Sequence, residues 1–243
     1  MFEQVSLAAQ AMVPTFDVLD GTSPEDAARL VRAQWKMPIG PVRNLVGWLE
    51  AAGCLVFEED FGTHRIDGMS QWIGDHPVML LNSEVPADRQ RLTKAHELGH
   101  LVLHSNEPSD SMEEEANSFA AEFLMPEAVI RSSLRDVSLG HLQELKREWG
   151  VSMQALFERS YRLGFVSSVD RTRFYKAMNA RGWKANEPGG EYVPRETPRL
   201  ALHIGDELLA RGYSREEIAN IAGYRSTQGC PFVPHGGGLR VVQ

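Results

Sequence analysis

The chain has 243 residues, which suits one large domain or two small ones with enough length to bury a core. Hydrophobic residues make up 42% of the chain and charged residues 24%, a composition that is typical of a globular protein and excludes a disordered one. The formal net charge of −8 argues against a protein that works by neutralising phosphates, so direct DNA binding by this chain is not expected.

Cysteine usage and the N-terminus indicate where the protein works. Cys54 and Cys230 lie far apart and form no CxxC pair, so no disulfide framework is predicted. The first residues place an acid at Glu3 and no basic residue ahead of an apolar run, which is unlike a signal peptide. The chain has no apolar run of 18 residues, so no membrane span is predicted. We therefore expect a reduced, cytoplasmic protein.

The first predicted elements are two helices and three strands. SPEDAARLVRAQWKMP predicts a helix with Ser23 as its N-cap and Asp26 three residues later, which approximates a capping box. GPVRNLVGWLEAAG predicts a second helix that begins at Pro41 and ends before Gly53. The strands are predicted in three short apolar segments bounded by turn residues: CLVFEED, RIDGMSQWIG and HPVMLLN.

The rest of the chain is predicted to be mostly helical. PADRQRLTKAHELGHLVLHS is a long helix, and MEEEANSFAAEFLMP is a further helix that Pro126 stops. LGHLQELKREWGVSMQALFERSYRLGFV predicts two helices around Gly150. Residues 186–199 contain three prolines and two glycines and predict a loop or linker. Two short helices follow, and the Gly/Pro-rich tail from Cys230 is expected to be loosely held.

The segment TKAHELGHLVLH contains the motif HExxH at His96, Glu97 and His100. On a helix, residues four apart differ by about 40° in rotation and by roughly 6 Å along the axis. Both imidazoles can therefore converge on one ion, at about 2.0–2.1 Å from each nitrogen. Glu97 borders the same face, where it can hold a metal-bound water and accept its proton. Gly99 removes a side chain between the histidines, which allows another backbone or a substrate to approach.

A catalytic zinc site needs a third protein ligand and an open position for water. His104 lies about 12 Å along the axis from His96, too far to share the ion, so it is expected to act as a cation or donor near the helix C-terminus. The preferred third ligand is Glu113 of the next helix, because its helical spacing places it above a buried stripe. Asn117, one turn later, is expected to orient the carboxylate or a ligating imidazole from outside the ligand set.

The neighbouring acids Glu114 and Glu115 have a simpler interpretation. Both lie in the first turn of the same predicted helix, where a carboxylate is favoured by the helix dipole.

The combination of AHELGH and EEEANSFAAEFLMP resembles the ImmA/IrrE metallopeptidases, a gluzincin-like group with HExxH and a downstream glutamate. The resemblance covers roughly residues 25–225. It implies a zinc endopeptidase in which His96, His100 and Glu113 are ligands and Glu97 is the general base. It also implies an XRE-family helix-turn-helix repressor as the protein substrate, cleaved to relieve repression. About 22 residues precede the first helix, too few for the XRE domain of fused members, so a stand-alone protease and a fragment of a longer regulator both remain open.

The expected reaction is attack of a zinc-bound water on the peptide carbonyl, with Glu97 as the general base that passes the proton to the leaving amine. PVMLLN is predicted to be an edge strand beside the site. An extended substrate would pair with it, which makes Leu80, Leu81 and Asn82 candidates for substrate binding. The spacing does not select an oxyanion donor from its three candidates, which are His141, Tyr161 and Arg162.

Together the elements predict an α+β fold: a small antiparallel sheet packs on a zincin-type pair of helices, the HExxH helix and the Glu helix, and a mostly helical C-terminal region follows. The predicted parts are an N-terminal extension at 1–22, a zincin-like metallopeptidase domain at 23–130, a helical, helix-turn-helix-like region at 131–185, and a linker, two short helices and a flexible tail at 186–243.

The alternative is a ligand-sensing or DNA-associated regulatory module of a larger transcription factor, with a metal site that cuts no peptide. The helices around Gly150 and the capped helix at Ser214 resemble helix-turn-helix units, and residues 171–184 are basic. Closed structural zinc sites usually have four Cys or His ligands, so a three-ligand site favours catalysis.

Overall fold

A computed structural model describes residues 11–16, 21–104 and 110–234. It confirms the α+β class, with a three-stranded sheet and a helical C-terminal region. The strands are β1 (Leu55–Glu59), β2 (Gly68–Ile73) and β3 (His76–Asn82). The helices are α1 (Pro24–Gln34), α2 (Leu45–Ala51), α3 (Ala87–Leu103), α4 (Met112–Leu124), α5 (Glu127–Ile130), α6 (Leu139–Trp149), α7 (Met153–Arg162), α8 (Ser168–Ala180), α9 (Leu200–Ala210) and α10 (Arg215–Ile221).

The sheet is mixed, so the prediction of an antiparallel sheet is wrong in one of its two pairings. The strand order is β1-β3-β2, with β3 antiparallel to β2 and parallel to β1. A tight turn at Gly74, whose φ is +59°, joins β2 to β3 and makes that pair antiparallel. On its other side β3 pairs with β1, so β3 lies between β1 and β2. No local sequence pattern predicts this strand order.

The central position of β3 also corrects the predicted substrate strand. Leu80 and Leu81 pair with both β1 and β2, and Asn82 pairs with β1 and donates its N–H to the Asp67 carbonyl. Leu81 and Asn82 are also fully buried. The prediction of an edge strand is therefore wrong, and the main-chain pairing that made these residues candidates for substrate binding is excluded.

The main core lies between the sheet and the helices α1, α3, α4, α6 and α7, and it positions α4 against α3. A Cβ on Gly99 would lie only 3.1 Å from the Cα of Ala116, so the backbone of α4 approaches α3 directly at this glycine. This confirms the prediction that Gly99 admits another backbone. The close approach brings the first turn of α4 alongside the second half of α3.

One continuous core extends across the predicted boundary at 130/131. Leu98 of α3 and Leu156 of α7 belong to the same buried cluster, as does Val13 from the predicted extension. Gly150 ends α6 in the left-handed conformation, and Ser152 caps α7, as the sequence indicates. The buried residues of α7 occupy that core, so they are unavailable to a DNA groove. The domain boundaries themselves remain predictions.

Residues 186–199 are irregular, apart from a 3₁₀ turn at Gly190–Tyr192, but they do more than link two parts of the chain. The Glu187 carboxylate accepts hydrogen bonds from the backbone N–H groups of Met153 and Gln154, at 2.6 and 3.0 Å. The Glu196 carboxylate accepts from those of Leu45 and Val46, both at 3.0 Å. The segment thus stabilises the first turns of α7 and α2.

The start of α2 differs from the prediction. The helix begins at Leu45, after Asn44, and not at Pro41. The Asn44 side chain accepts from the Gly47 N–H, and Glu196 satisfies the two preceding N–H groups. A glutamate about 150 residues away therefore helps to set this boundary, and the local sequence does not reveal it.

A second, smaller core covers the other face of the sheet. Leu55 and Val78 of β1 and β3 pack there with α9, α10 and the segment from Cys230 to Val233. Cys230, Phe232 and Val233 are buried, so this part of the tail is not loosely held. Residues 235–243 of the predicted tail lie outside the described residues. Among the helices described, none has the length and apolar composition needed to cross a bilayer.

Candidate metal centre

Three of the predicted site residues converge. The Nε2 atoms of His96 and His100 lie 3.0 Å apart, and the Glu113 carboxylate oxygens lie 3.4 Å from His96 Nε2 and 3.5 Å from His100 Nε2. A tetrahedral ion bound at about 2.0–2.1 Å holds its ligand atoms about 3.3 Å apart. The spacing and chemistry of these three donors therefore fit a zinc-sized divalent cation. Their role as ligands remains a prediction.

The local fold explains the convergence. The four-residue spacing on α3 points both imidazoles to one side, and the close crossing at Gly99 brings the first turn of α4 to them. The two histidine side chains are largely enclosed, whereas that of Glu113 is 72% exposed. The centre therefore lies at the boundary between the packed helices and solvent.

Asn117 contacts the first imidazole. Its Oδ1 lies 3.2 Å from His96 Nδ1, the nitrogen opposite the one that faces His100 and Glu113. With its proton on Nδ1, His96 donates to this amide oxygen and leaves the Nε2 lone pair free for a cation. The contact is the one that the predicted orienting role requires.

The second imidazole is contacted by His104, whose position along the helix axis excludes it as a third ligand. His100 Nδ1 lies 3.0 Å from His104 Nδ1, and His104 Nε2 lies 2.8 Å from Glu115 Oε2. His104 does end α3, as expected, but its ring is directed at two side chains rather than at the helix dipole alone. Glu115 likewise has a specific partner, and its hydrogen bonds from Ser111 and then His104 lower the pKa of this carboxyl.

Glu97 lies beside the ligand atoms in a different environment from that of Glu113. It is only 6% exposed, and burial raises the pKa of its carboxyl, although a hydrogen bond from Ser70 opposes the shift. The Ser70 hydroxyl lies 2.7 Å from Glu97 Oε2 and 2.9 Å from the Glu97 carbonyl oxygen. Ser70 belongs to β2, 27 residues before Glu97, and no motif in the sequence links the two.

Burial also affects the electrostatics of His100, the second candidate ligand. Desolvation, followed by the effect of the nearby His96, lowers the pKa of His100 to about 4. The His100 imidazole is therefore neutral at physiological pH, which is the protonation state that binds a metal ion.

The centre opens into a cleft of about 770 Å³. One wall is β2, with Gly68, Ser70 and Trp72, and the other is formed by α3 and the start of α4. Among the described strands β2 lies at the edge of the sheet, so an edge strand borders the candidate centre.

None of the three oxyanion candidates lines this cleft. His141 contacts the Ser133 carbonyl through Nε2, at 2.8 Å, and Arg162 donates to the Ser118 hydroxyl, at 2.7 Å. Tyr161 is likewise absent from the lining, so the structure does not bring any of the three to the site.

Comparison with known families gives one match. A model of the Peptidase M78 family, described as the IrrE N-terminal-like domain, matches residues 49–161. The matched range contains the sheet, α3, α4 and all the side chains of the centre. No curated protein matches the chain with significance. The match supports a metallopeptidase in general.

Proposed function

We propose that this chain, in which residues 49–161 belong to the IrrE N-terminal-like family of peptidases, is a zinc-dependent endopeptidase. The observation that carries the proposal is the convergence of His96, His100 and Glu113 on one point beside the buried carboxylate of Glu97. Two histidines and a glutamate are the ligand set of one class of catalytic zinc site, which keeps a fourth position open.

Zinc at this position would supply Lewis-acid chemistry that polarises a peptide carbonyl and makes water a better nucleophile. Glu97 accepts the proton of the attacking water and transfers it to the leaving amine. Its raised pKa makes it a stronger base than an exposed glutamate. Ser70 hydrogen-bonds to one carboxylate oxygen, Oε2, and so fixes the carboxylate while the other oxygen exchanges the proton.

The substrate strand in this proposal is β2 rather than β3. An extended peptide adds to the free edge of β2 through main-chain hydrogen bonds. Large apolar side chains at Met69 and Ile73 are about half exposed along this strand, which supports recognition of a peptide with apolar side chains. The cleft that β2 borders also contains Glu97, so the scissile bond of a peptide added there lies near the general base.

The substrate class that we propose is an XRE-family helix-turn-helix repressor, whose cleavage relieves repression. This part rests on the resemblance of AHELGH and EEEANSFAAEFLMP to the ImmA/IrrE metallopeptidases. We also propose that the protein acts in the reducing cytoplasm, since Cys54 and Cys230 are both buried free thiols.

The test uses the full-length protein loaded with zinc and an XRE-type repressor encoded beside its gene. We expect the wild type to cleave the repressor at one site, and Glu97→Gln to bind zinc equally but to lose cleavage. Glu114→Gln is the matched control, because Glu114 is an exposed glutamate next to Glu113. It should behave as the wild type does.

Two results would contradict the proposal. A wild type that binds no zinc would remove the metal centre. A zinc-loaded wild type that leaves every candidate repressor intact, as Glu97→Gln does, would favour a regulatory module with a non-proteolytic metal site.

A further inference from the structure

We infer that His104 and Glu115 are positioning residues, which form a two-residue relay that fixes the tautomer and the orientation of His100. The inference rests on the proposed function, because it assigns these residues a role toward a cation bound at His96, His100 and Glu113. It extends that proposal to two residues outside the ligand set.

The proton positions follow from the contacts. If His100 offers Nε2 to the cation, its ring proton is on Nδ1 and needs an acceptor. The atom in reach is His104 Nδ1, at 3.0 Å, which accepts only if the proton of His104 is on Nε2. That Nε2–H then donates to Glu115 Oε2, at 2.8 Å. In this relay each N–H donor meets an acceptor, and the last acceptor is the Glu115 carboxylate.

Burial makes this arrangement specific. The side chain of His104 is only 4% exposed, so its ring nitrogens have little access to water, and leaving either unpaired would be costly. Glu115 is itself held in place, because the Ser111 hydroxyl donates to its other oxygen, Oε1, at 2.6 Å. With both imidazoles neutral, only this order pairs every nitrogen of the relay, and in it the Nε2 lone pair of His100 faces the centre.

The two imidazoles of the centre differ in their support. His96 is contacted by one amide, that of Asn117, whereas His100 is contacted by the buried relay. Asn117 and Glu115 both belong to α4, the helix that also provides Glu113, whereas His104 ends α3. Outer contacts of this kind typically change metal affinity by about 10- to 100-fold. We expect the buried relay to contribute more than Asn117 does.

The experiment measures zinc affinity of the full-length apo-protein by competition with a chromophoric chelator. His104→Leu removes the acceptor while keeping similar volume, and should weaken zinc binding by about 10- to 100-fold. His104→Asn places an amide oxygen near the former Nδ1 and should restore most of the affinity. Glu115→Met should also weaken binding, whereas Glu114→Gln should not, because Glu114 is exposed and outside the relay.

A second readout reports the tautomer directly. The ¹⁵N chemical shifts of the His100 ring distinguish a proton on Nδ1 from one on Nε2. We expect the Nδ1–H form in the apo wild type, and exchange between forms in apo His104→Leu.

The outcomes separate this inference from the proposed function. A wild type without zinc affinity would overturn the metal centre and the relay together. A wild type that binds zinc, with His104→Leu binding equally well, would overturn the relay alone. If His104→Leu does not fold, Glu115→Met decides, and wild-type affinity in that variant overturns the relay.

Discussion

The helix α3 has two polar faces that differ in what their side chains do. On the face toward the cleft, His96, Glu97 and His100 border an open space, and the Nε2 atoms of the two histidines lie close to each other and to the Glu113 carboxylate. The outer ring nitrogens of both histidines have partners in the protein, Asn117 and His104, whereas the inner nitrogens converge with Glu113 on the point proposed to bind a cation.

On the opposite face, Asp88, Arg91 and Lys94 are almost completely buried, and their partners belong to the protein. Asp88 pairs with Lys146 of α6, and Arg91 pairs with Glu196. Lys94 donates to Gln90 Oε1 at 2.9 Å. Each charge on this face has a partner within the fold, so these residues do not need a ligand.

The difference teaches how to read a polar helix. Residue type alone does not separate the two faces, because both carry ionisable groups at helical spacing. What separates them is whether the polar atoms find their partners within the chain. Buried pairs of this kind often add little net stability, but removing one partner is strongly destabilising. Substitutions on the cleft face should show the opposite behaviour, with a large effect on activity and a small effect on the free energy of unfolding.

Removal of the metal should have the largest effect on activity. Chelation should abolish peptidase activity while the apo-protein stays folded, because neither buried core includes His96, His100 or Glu113. The free energy of unfolding should fall only by the linkage contribution, about 2.7 kcal/mol at a zinc concentration 100 times Kd. The measurements are activity, metal content and circular dichroism, with zinc re-addition as the control. Activity that persists in metal-free protein would contradict the proposal that the cleft face of α3 binds a catalytic metal ion.

Glu196→Ala should have the largest effect on stability. It leaves the buried Arg91 without its carboxylate and removes the acceptor for two N–H groups of α2, so we expect a loss of about 3–5 kcal/mol in urea unfolding. Glu191→Ala is the matched control, because Glu191 is an exposed glutamate in the same segment. Zinc affinity of the folded fraction should be unchanged. Near-wild-type stability would show that the buried Arg91–Glu196 pair does not stabilise this face of α3.

Gly99→Ala should have a moderate effect on both stability and zinc binding. The new Cβ would lie 3.1 Å from Ala116 Cα and 3.2 Å from the Ala116 carbonyl oxygen, so α4 must shift and carry Glu113 with it. We expect a loss of about 1–3 kcal/mol and weaker zinc binding. Gly140→Ala in α6 is the control, because no atom lies within 4 Å of the added methyl group and alanine favours a helix. Unchanged zinc affinity in Gly99→Ala would show that the crossing does not position the centre.

Lys94→Met should have the smallest effect. Burial lowers the pKa of Lys94 from 10.5 to about 8. Between these two pH values the unfolded chain binds more protons at this lysine than the folded protein does, so the free energy of unfolding rises with pH. Methionine should remove that rise and change stability at pH 7 by about 1 kcal/mol or less, in the stabilising direction. Urea unfolding at several pH values measures both effects. Lys176→Met, at an exposed site of α8, should keep the rise. A strong loss of stability in Lys94→Met would show that this ammonium is a favourable contact.

Much of the fold and the site was predictable because the evidence is local. The HExxH spacing brings His96 and His100 together on any helix, and Ser23 and Ser152 cap helices as their positions indicate. Glu113 was selected by the periodicity of its own helix, and the structure places it within 3.5 Å of both imidazoles.

The rest depends on long-range contacts that leave no local pattern. Ser70 reaches Glu97 only because β2 forms the edge of the sheet, and strand order depends on the packing of the whole sheet. Distance along the axis excludes His104 as a ligand, but the same four-residue spacing places its ring next to that of His100. Glu187 and Glu196 belong to a loop by composition, and nothing local shows which helix each one stabilises.

The anchoring of α2 and α7 by residues 186–199 determines how much of the chain is needed for an independent folding unit. The family signature ends at 161, yet the carboxylate that neutralises Arg91 of the HExxH helix comes from position 196. A protein truncated at the signature would leave that guanidinium buried and unpaired, and would lose the acceptors at the first turns of two helices. We therefore expect the minimal stable fragment of this protein to extend at least to Glu196.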